Sequence, residues 1–135
     1  MTTVSVRYIV DDVDAAIAFY TTALRFEVQM HPNEMFAMLR LGDLRLVLVR
    51  PTGPDGPPGG GAPMTDGRLQ EPGGWNRFSI EVQDLAAVVA DLRGKGARFR
   101  NDIVTGVGGR QIIVDDPAGN PVELFEPTIP EARLT

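Results

Sequence analysis

The sequence contains no cysteine, which excludes disulfides, thiolate metal sites and a cysteine nucleophile. Lysine is almost absent as well, because twelve of the thirteen basic residues are arginine and Lys95 is the exception. The net charge of −5 leaves too little positive surface to neutralise phosphates, so nucleic-acid binding is disfavoured. No apolar run approaches the roughly 20 residues that span a bilayer, so no membrane partner is expected.

The chain has 135 residues, of which 43% are hydrophobic. This size and composition suit one compact domain, or two small packed halves, with an ordinary core. Residues 1–7 alternate like a strand and lack the charged start and apolar stretch of a signal peptide. A cytoplasmic location is therefore the default expectation.

Five elements are predicted in the first half, residues 1–50. The short acidic residues 11–14 are suited to the N-cap and first turn of a helix, and apolar residues follow at helical spacing up to Leu24. Gly42 and Asp43 form a tight hairpin turn between the last two strands. The predicted strands cover residues 4–10, 26–30, 36–41 and 44–50. The order of elements is βαβββ.

Residues 51–74 differ sharply from their surroundings, since they hold eight glycines and six prolines. Such a segment cannot bury enough apolar surface to form a helix or a strand of its own. Connections of this length are usually linkers or functional lids. We interpret the segment as a mobile linker, while Met64, Leu69 and Trp75 leave open a lid that folds over a ligand.

The order of the first half returns in residues 75–127. Asp84 is suited to cap a second helix, which ends at Gly94 and Gly96. Residues 115–120 have the composition of a turn between the last two strands, and residues 128–135 are left as a tail. The predicted strands cover residues 75–82, 97–101, 111–114 and 121–126.

The two halves also align directly, because residues 10–18 match residues 82–90 at a constant offset of 72. An internal repeat of this kind constrains the fold strongly. Each half has one amphipathic helix and a sheet too small to be stable alone, so the two sheets must pair. We predict an α+β fold of two tandem βαβββ modules that form one barrel-like cleft.

Three stretches carry a resemblance to a known family. They are VDDVDAAIAFY at residues 10–20, LRFE at residues 24–27, and DPAGNPVELFE at residues 116–126. They resemble the strand-to-helix turn and the Asp-Pro-x-Gly-Asn turn of the glyoxalase/bleomycin-resistance/extradiol-dioxygenase, or vicinal oxygen chelate, superfamily. The resemblance implies the fold predicted above and a homodimer. It does not imply one function, because the family includes isomerases, dioxygenases and non-catalytic drug-binding proteins.

The resemblance also identifies where a metal would be bound. In metal-dependent members the ligands come from the first and last strands of each module, and these positions are Ser5, Val47, Arg77 and Glu123 here. Val47 has no donor atom and Arg77 is a permanent cation, so only Glu123 is a good ligand. We therefore expect no metal and no other cofactor, and we expect an Arg77–Glu123 ion pair instead.

Strand alternation assigns the side chains that face the cleft. The first half contributes Ser5, Arg7, Arg45 and Val47, and the second contributes Arg77, Glu81, Glu123 and Phe125. Such a mixture of arginine, carboxylate and apolar groups is typical of sites for small organic molecules. His31, the single histidine, does not fall on a metal position and is interpreted as a surface or turn residue, with a general base as the alternative.

Three functions remain open on the sequence. The first is metal-independent binding of a small aromatic or anionic molecule. The second is a metal-independent lyase or isomerase that uses Glu123 as a base or acid beside Arg77, although the arginine makes this base weak. The third is a metal-dependent glyoxalase or ring-cleaving dioxygenase with ligands drawn from Glu81, Glu123 and Glu126.

Overall fold

The computed structural model describes residues 2–133, so Met1 of the first predicted module and residues 134 and 135 of the predicted tail lie outside the described part. The chain divides into two compact units. The first unit comprises the chain up to Gly73 together with residues 117–120, and the second comprises residues 74–116 and the chain from Pro121 onward. Neither helix within residues 2–133 has the length and apolarity needed to cross a membrane.

The first unit is built on a four-stranded sheet with the strand order β1-β4-β3-β2. Strands β1 and β4 are parallel, and the other neighbours are antiparallel. Strand β2 is an edge strand with two register shifts, and every residue in it is exposed. The elements are β1 (Ser5–Ile9), α1 (Val13–Thr22), β2 (Glu27–Asn33), β3 (Phe36–Leu41) and β4 (Leu44–Val49).

Helix α1 begins where the acidic residues predicted it. The side chain of Asp12 accepts a hydrogen bond of 3.0 Å from the backbone N–H of Ala15, which satisfies one of the free donors of the first turn. The helix contacts β2, β3 and β4, and Tyr8, Leu46 and Leu48 of the sheet are buried.

The second unit repeats the arrangement with a sheet of order β5-β9-β8-β6. Strands β5 and β9 are parallel, in the same way as β1 and β4. Asp84 caps α2 by accepting a hydrogen bond of 3.1 Å from the N–H of Ala87, and Gly96 follows the helix with a φ of +83°. The elements are β5 (Ser79–Glu81), α2 (Leu85–Gly94), β6 (Arg98–Phe99), β7 (Val104–Thr105), β8 (Gly109–Asp115) and β9 (Pro121–Pro127), followed by a 3-10 turn at Pro130–Ala132.

Two predicted strands of the second half are shorter in the structure. The strand predicted over residues 75–82 is confined to β5, Ser79–Glu81. The strand predicted over residues 97–101 is reduced to β6, and β7 was not predicted. Both β6 and β7 pair with the same side of β8, so together they are one interrupted strand. The βαβββ order is thus preserved, and the predicted fold class is confirmed.

Asn120, at the end of the turn between β8 and β9, is a buried polar residue with two backbone partners. Its side-chain amide donates a hydrogen bond of 2.7 Å to the carbonyl of Ile9, and its side-chain oxygen accepts one of 2.7 Å from the N–H of Gly73. Residues 117–120 thereby join the end of β1 to the end of the Gly/Pro-rich segment within the first unit.

Replacing Asn120 with Leu is expected to lower the free energy of unfolding by about 3 kcal/mol, because it leaves two backbone groups without their partner. The free energy is measured by urea denaturation. Asn76→Leu, at an exposed position, serves as the matched control and is expected to change stability little. Equal effects of the two substitutions would show that the hydrogen bonds of Asn120 do not stabilise the fold.

Candidate functional site

Each sheet has one face that is covered by its helix and one face that is turned away from the helix. We call the uncovered face of the sheet with β1 and β4 the first open face, and that of the sheet with β5 and β9 the second open face. On the first open face Ser5 pairs with Arg45 and Arg7 pairs with Val47, in the parallel register of β1 and β4. The four residues predicted for the site from the first half therefore lie together on one surface. Arg45 also pairs with Arg40 across β3 and β4, which concentrates positive charge there.

The first open face is covered more than the sequence predicted. Val47, predicted to face the cleft, is only 4% exposed, and Val49 on the same face is 6% exposed. The Gly/Pro-rich segment lies against this face, since a Cβ added at Gly60 would overlap the guanidinium of Arg7. Arg7 is therefore in contact with the segment, and Val47 is a buried wall residue.

The second open face carries the predicted ion pair. Arg77 donates from Nε and Nη2 to Oε1 of Glu123, at 3.1 and 2.9 Å. Ser79, which pairs directly with Glu123 across β5 and β9, donates to Oε2 at 3.1 Å. Both carboxylate oxygens of Glu123 are thus engaged by donors of the same sheet, and the side chains of the pair are 26% and 16% exposed.

A second arginine on this face was missed by the sequence reasoning. Arg100 donates to Oδ1 of Asp115 at 2.6 Å and to the carbonyl of Gly74, and its guanidinium lies 4.8 Å from the ring centre of Trp75. The carbonyl of Trp75 accepts a hydrogen bond of 3.1 Å from Arg77. The two arginines therefore fix the backbone on both sides of an indole that is 70% exposed. The single tryptophan of the sequence was the available signal, because an indole commonly stacks on an arginine.

The remaining predicted residues, Glu81 and Phe125, pair with each other across β5 and β9 and are half-buried. The ring of Phe125 packs against Gly109, where an added Cβ would lie 2.9 Å from its Cζ. The added Cβ would lie closer still to the backbone carbonyl of Glu126, so the approach of both groups requires glycine at this position. The structure brings all four predicted residues of the second half to the same face.

The residues aligned with the family's metal ligands occupy equivalent places in the two sheets. Arg7 lies opposite Val47 in the first sheet, and Ser79 lies opposite Glu123 in the second, so Ser5–Val47 and Arg77–Glu123 are corresponding diagonal pairs. The donor set does not fit a divalent metal, because it offers one carboxylate that is already bound to a guanidinium.

The alternative ligand set of three glutamates is not assembled. Glu126 lies on the helix side of β9, where its Oε1 accepts a hydrogen bond of 2.9 Å from the N–H of Leu85 and its Oε2 is bound by Arg110. Glu123 faces the opposite side of the sheet. Within residues 2–133 no three histidine, aspartate or glutamate side chains are grouped in a way that could hold a metal ion.

His31 lies apart from the predicted site residues of its unit. It is an exposed residue of β2, and its Nε2 is 3.5 Å from Oδ1 of Asp14 in the first turn of α1. This places the histidine beside the helix, while Arg7 and Val47 are on the opposite face of the sheet. The structure gives His31 no contact with a candidate ligand-binding residue among those described.

Known proteins match almost the whole chain. The model of the Glyoxalase/Bleomycin resistance protein/Dioxygenase superfamily matches residues 3–124. No curated protein matched the chain. Solved structures share the fold at low sequence identity.

A lactoylglutathione lyase from Agrobacterium tumefaciens is 20% identical, with a TM-score of 0.69 over 93% of this chain and 92% of that one. TnmS3, an antibiotic binding protein from Streptomyces sp. CB03234, is 22% identical, with a TM-score of 0.68 over 95% and 97%. The bleomycin-binding protein of Streptomyces verticillus, solved with copper(II)-bleomycin, is 22% identical, with a TM-score of 0.59 over 92% and 94%. At these identities the likeness shows a shared fold alone.

The carboxylate of Glu126 predicts how the stability of the second unit depends on pH. Its hydrogen bonds from Arg110 and from the N–H of Leu85 lower the pKa of Glu126 below the ordinary value of 4.5. The charged form therefore stabilises the fold above that value, and the contribution is lost as the pH falls through the lowered pKa. Glu126→Gln should be less stable than the wild type at pH 7, and the difference should shrink on acidification below pH 4.5.

Urea denaturation at several pH values measures this difference. Glu131→Gln, at an exposed position in the same unit, is the control and should follow the wild type at every pH. A gap between wild type and Glu126→Gln that is constant from pH 7 to pH 3 would contradict an electrostatic role for Glu126.

Proposed function

We propose that this chain, which belongs to the Glyoxalase/Bleomycin resistance protein/Dioxygenase superfamily, binds a small aromatic or anionic molecule without a metal ion. The observation that carries the proposal is the set of hydrogen bonds accepted by the carboxylate of Glu123. Its two oxygens accept three hydrogen bonds from Arg77 and Ser79, so a guanidinium compensates its charge where a metal would be expected to do so.

The electrostatics of the first open face support an anionic ligand. Arg7 and Arg45 have no ion-pair partner among residues 2–133, and Arg45 lies beside a like-charged neighbour, Arg40. Unpaired guanidinium groups next to the apolar surface of Val47 are suited to a carboxylate or phosphate attached to an organic group. Glu27, which binds Arg40 at 3.3 Å, leaves the other two arginines uncompensated.

Trp75 supports an aromatic ligand. One side of its ring is stacked on Arg100, the neighbouring carbonyls are held by two arginines, and most of the indole is exposed. A rigid exposed aromatic ring can stack on a flat ligand with little loss of conformational entropy. The two antibiotic-binding neighbours have the same fold, which is compatible with binding as the whole function of such a chain.

The alternative is a metal-independent lyase or isomerase in which Glu123 moves a proton and Arg77 stabilises developing charge. The same geometry counts against it, because Glu123 would have to release a hydrogen bond from Arg77 or Ser79 before either oxygen could accept a proton. Binding is therefore the preferred function.

We also propose that the chain forms a homodimer, as the family resemblance implies. Both sheets end in unpaired edges, β1 and β2 in the first unit and β5 in the second, and open edges need cover. Light scattering coupled to size-exclusion chromatography should give twice the chain mass of 14.6 kDa. A monomer mass across a broad concentration range would refute the dimer without affecting the binding proposal.

Metal analysis tests metal independence. We expect the purified wild type and Glu123→Gln to contain the same sub-stoichiometric zinc, nickel, iron and manganese by plasma mass spectrometry. Glu123→Gln should nevertheless weaken the hold on Arg77 and change the emission of Trp75, the only tryptophan, whose carbonyl is bound by that arginine. Glu131→Gln should leave the emission unchanged.

Native mass spectrometry of the protein as purified, and of mixtures with small organic molecules, completes this test. Adducts with aromatic compounds that are lost in Glu123→Gln support the proposed site, because Arg77 binds the carbonyl of Trp75. Near-stoichiometric metal in the wild type that disappears in Glu123→Gln would falsify it, because Glu123 would then be a metal ligand.

A further inference from the structure

The first half of the Gly/Pro-rich segment is a closed loop with defined hydrogen bonds. The N–H of Thr52 donates to the carbonyl of Gly61 at 2.9 Å, which joins the two ends of the loop. Gln70 holds the C-terminal end of the loop, because its side-chain amide donates hydrogen bonds to the carbonyls of Gly60 and Ala62 at 2.7 and 3.0 Å. Residues 52–61 thus form a loop that is closed by its own backbone hydrogen bond and held from outside by Gln70.

This loop approaches the first sheet so closely that side chains are excluded. A Cβ at Gly61 would overlap the backbone carbonyl of Arg50, which cannot move without displacing the end of β4. A Cβ at Gly60 would overlap the guanidinium of Arg7 on the first open face. The glycines of the loop are therefore required for contact with the sheet, and they are not only signs of flexibility.

Between the loop and the sheet lies a cavity of about 250 Å³. Met35, Phe36 and Val49 form its apolar side on the sheet, and Pro57 and Pro58 form the apolar side on the loop. An engineered apolar cavity of about 150 Å³ in another protein binds benzene. A cavity of this size in the present unit therefore has room for one substituted aromatic ring.

The charge around the cavity determines which substituent on an aromatic ring would be bound most favourably. Arg50 is among the residues that line it, and Arg7 lies against the adjoining Gly60. Neither arginine has an ion-pair partner among the residues that the structure describes. No aspartate or glutamate is among the residues lining the cavity. An aromatic ring that carries a carboxylate matches both the apolar walls and this uncompensated positive charge.

We infer that residues 52–61 are a lid, held by Thr52 and Gln70, that closes on an aromatic carboxylate in this cavity. The site belongs to the first unit, whereas the Arg77–Glu123 pair belongs to the second. The inference therefore adds a binding site to the proposed function, and it can fail while the Arg77–Glu123 site stands.

Benzoate and benzylamine test the site, because they share a ring and carry opposite charges. In two-dimensional NMR of the full chain, benzoate should shift the signals of Phe36, Val49 and the loop glycines, and it should bind about tenfold more tightly than benzylamine. Arg50→Gln should remove this preference. Equal binding of the two probes, or no shifts at Phe36 and the loop, would overturn the inference. Benzoate shifts confined to the indole of Trp75 would assign the probe to the second open face and leave the proposed function intact.

Gln70→Glu tests the lid, since glutamate has the same shape and cannot donate to Gly60 and Ala62. Hydrogen exchange at the amide of Thr52 should become about tenfold faster, as expected for the loss of a hydrogen bond, and benzoate should bind correspondingly more weakly. Gln83→Glu, an exposed position in the second unit, makes the same charge change and should alter neither quantity. If Thr52 exchanges at the wild-type rate in Gln70→Glu, or if benzoate does not slow that exchange in the wild type, the loop is not a lid.

Discussion

In each half of the chain the first strand pairs in parallel with the last strand, β1 with β4 and β5 with β9. A parallel pair cannot be joined by a hairpin, so a helix must cross one face of the sheet to bring the last strand back beside the first. The helix takes the face of Tyr8 and Leu48 in one unit and of Ile80 and Leu124 in the other. The opposite face, where the candidate residues lie, follows from that pairing.

The two open faces use corresponding positions for different chemistry. Glu123 in the second sheet corresponds to Val47 in the first, and Ser79 corresponds to Arg7. As a result the second open face holds a carboxylate that needs a cation, and Arg77 supplies it. The first open face holds a cation beside an apolar residue with no carboxylate to meet it. The repeat preserves the backbone while the charges of the two faces diverge.

Much of this fold was predictable, because period-two alternation and an offset of 72 between the halves place every helix and most strands. The Arg77–Glu123 pair was predictable too, since alternation puts both on one face. Three features depend on contacts that the local sequence does not encode. Trp75 lies outside β5, and Arg100, from the other edge of its sheet, stacks on it. Arg25 has a φ of +64°, which its residue type does not predict. The close approach of Gly60 to Arg7 depends on a loop whose composition predicts flexibility.

The Arg77–Glu123 pair is better explained by where it holds charge on the second open face than by a contribution to the free energy of unfolding. Half-exposed or buried ion pairs contribute little net free energy, because the desolvation of both groups offsets most of their attraction. Removing only one partner is costly, since the other charge is left on a partly buried surface at 26% or 16% exposure. The pair therefore places a guanidinium of the same chain against the carboxylate of Glu123. On such a surface an incoming anion gains nothing from Arg77, which is already saturated by Glu123. The arginines of the first open face remain the groups with charge to offer, which is why the anionic part of a ligand is expected there.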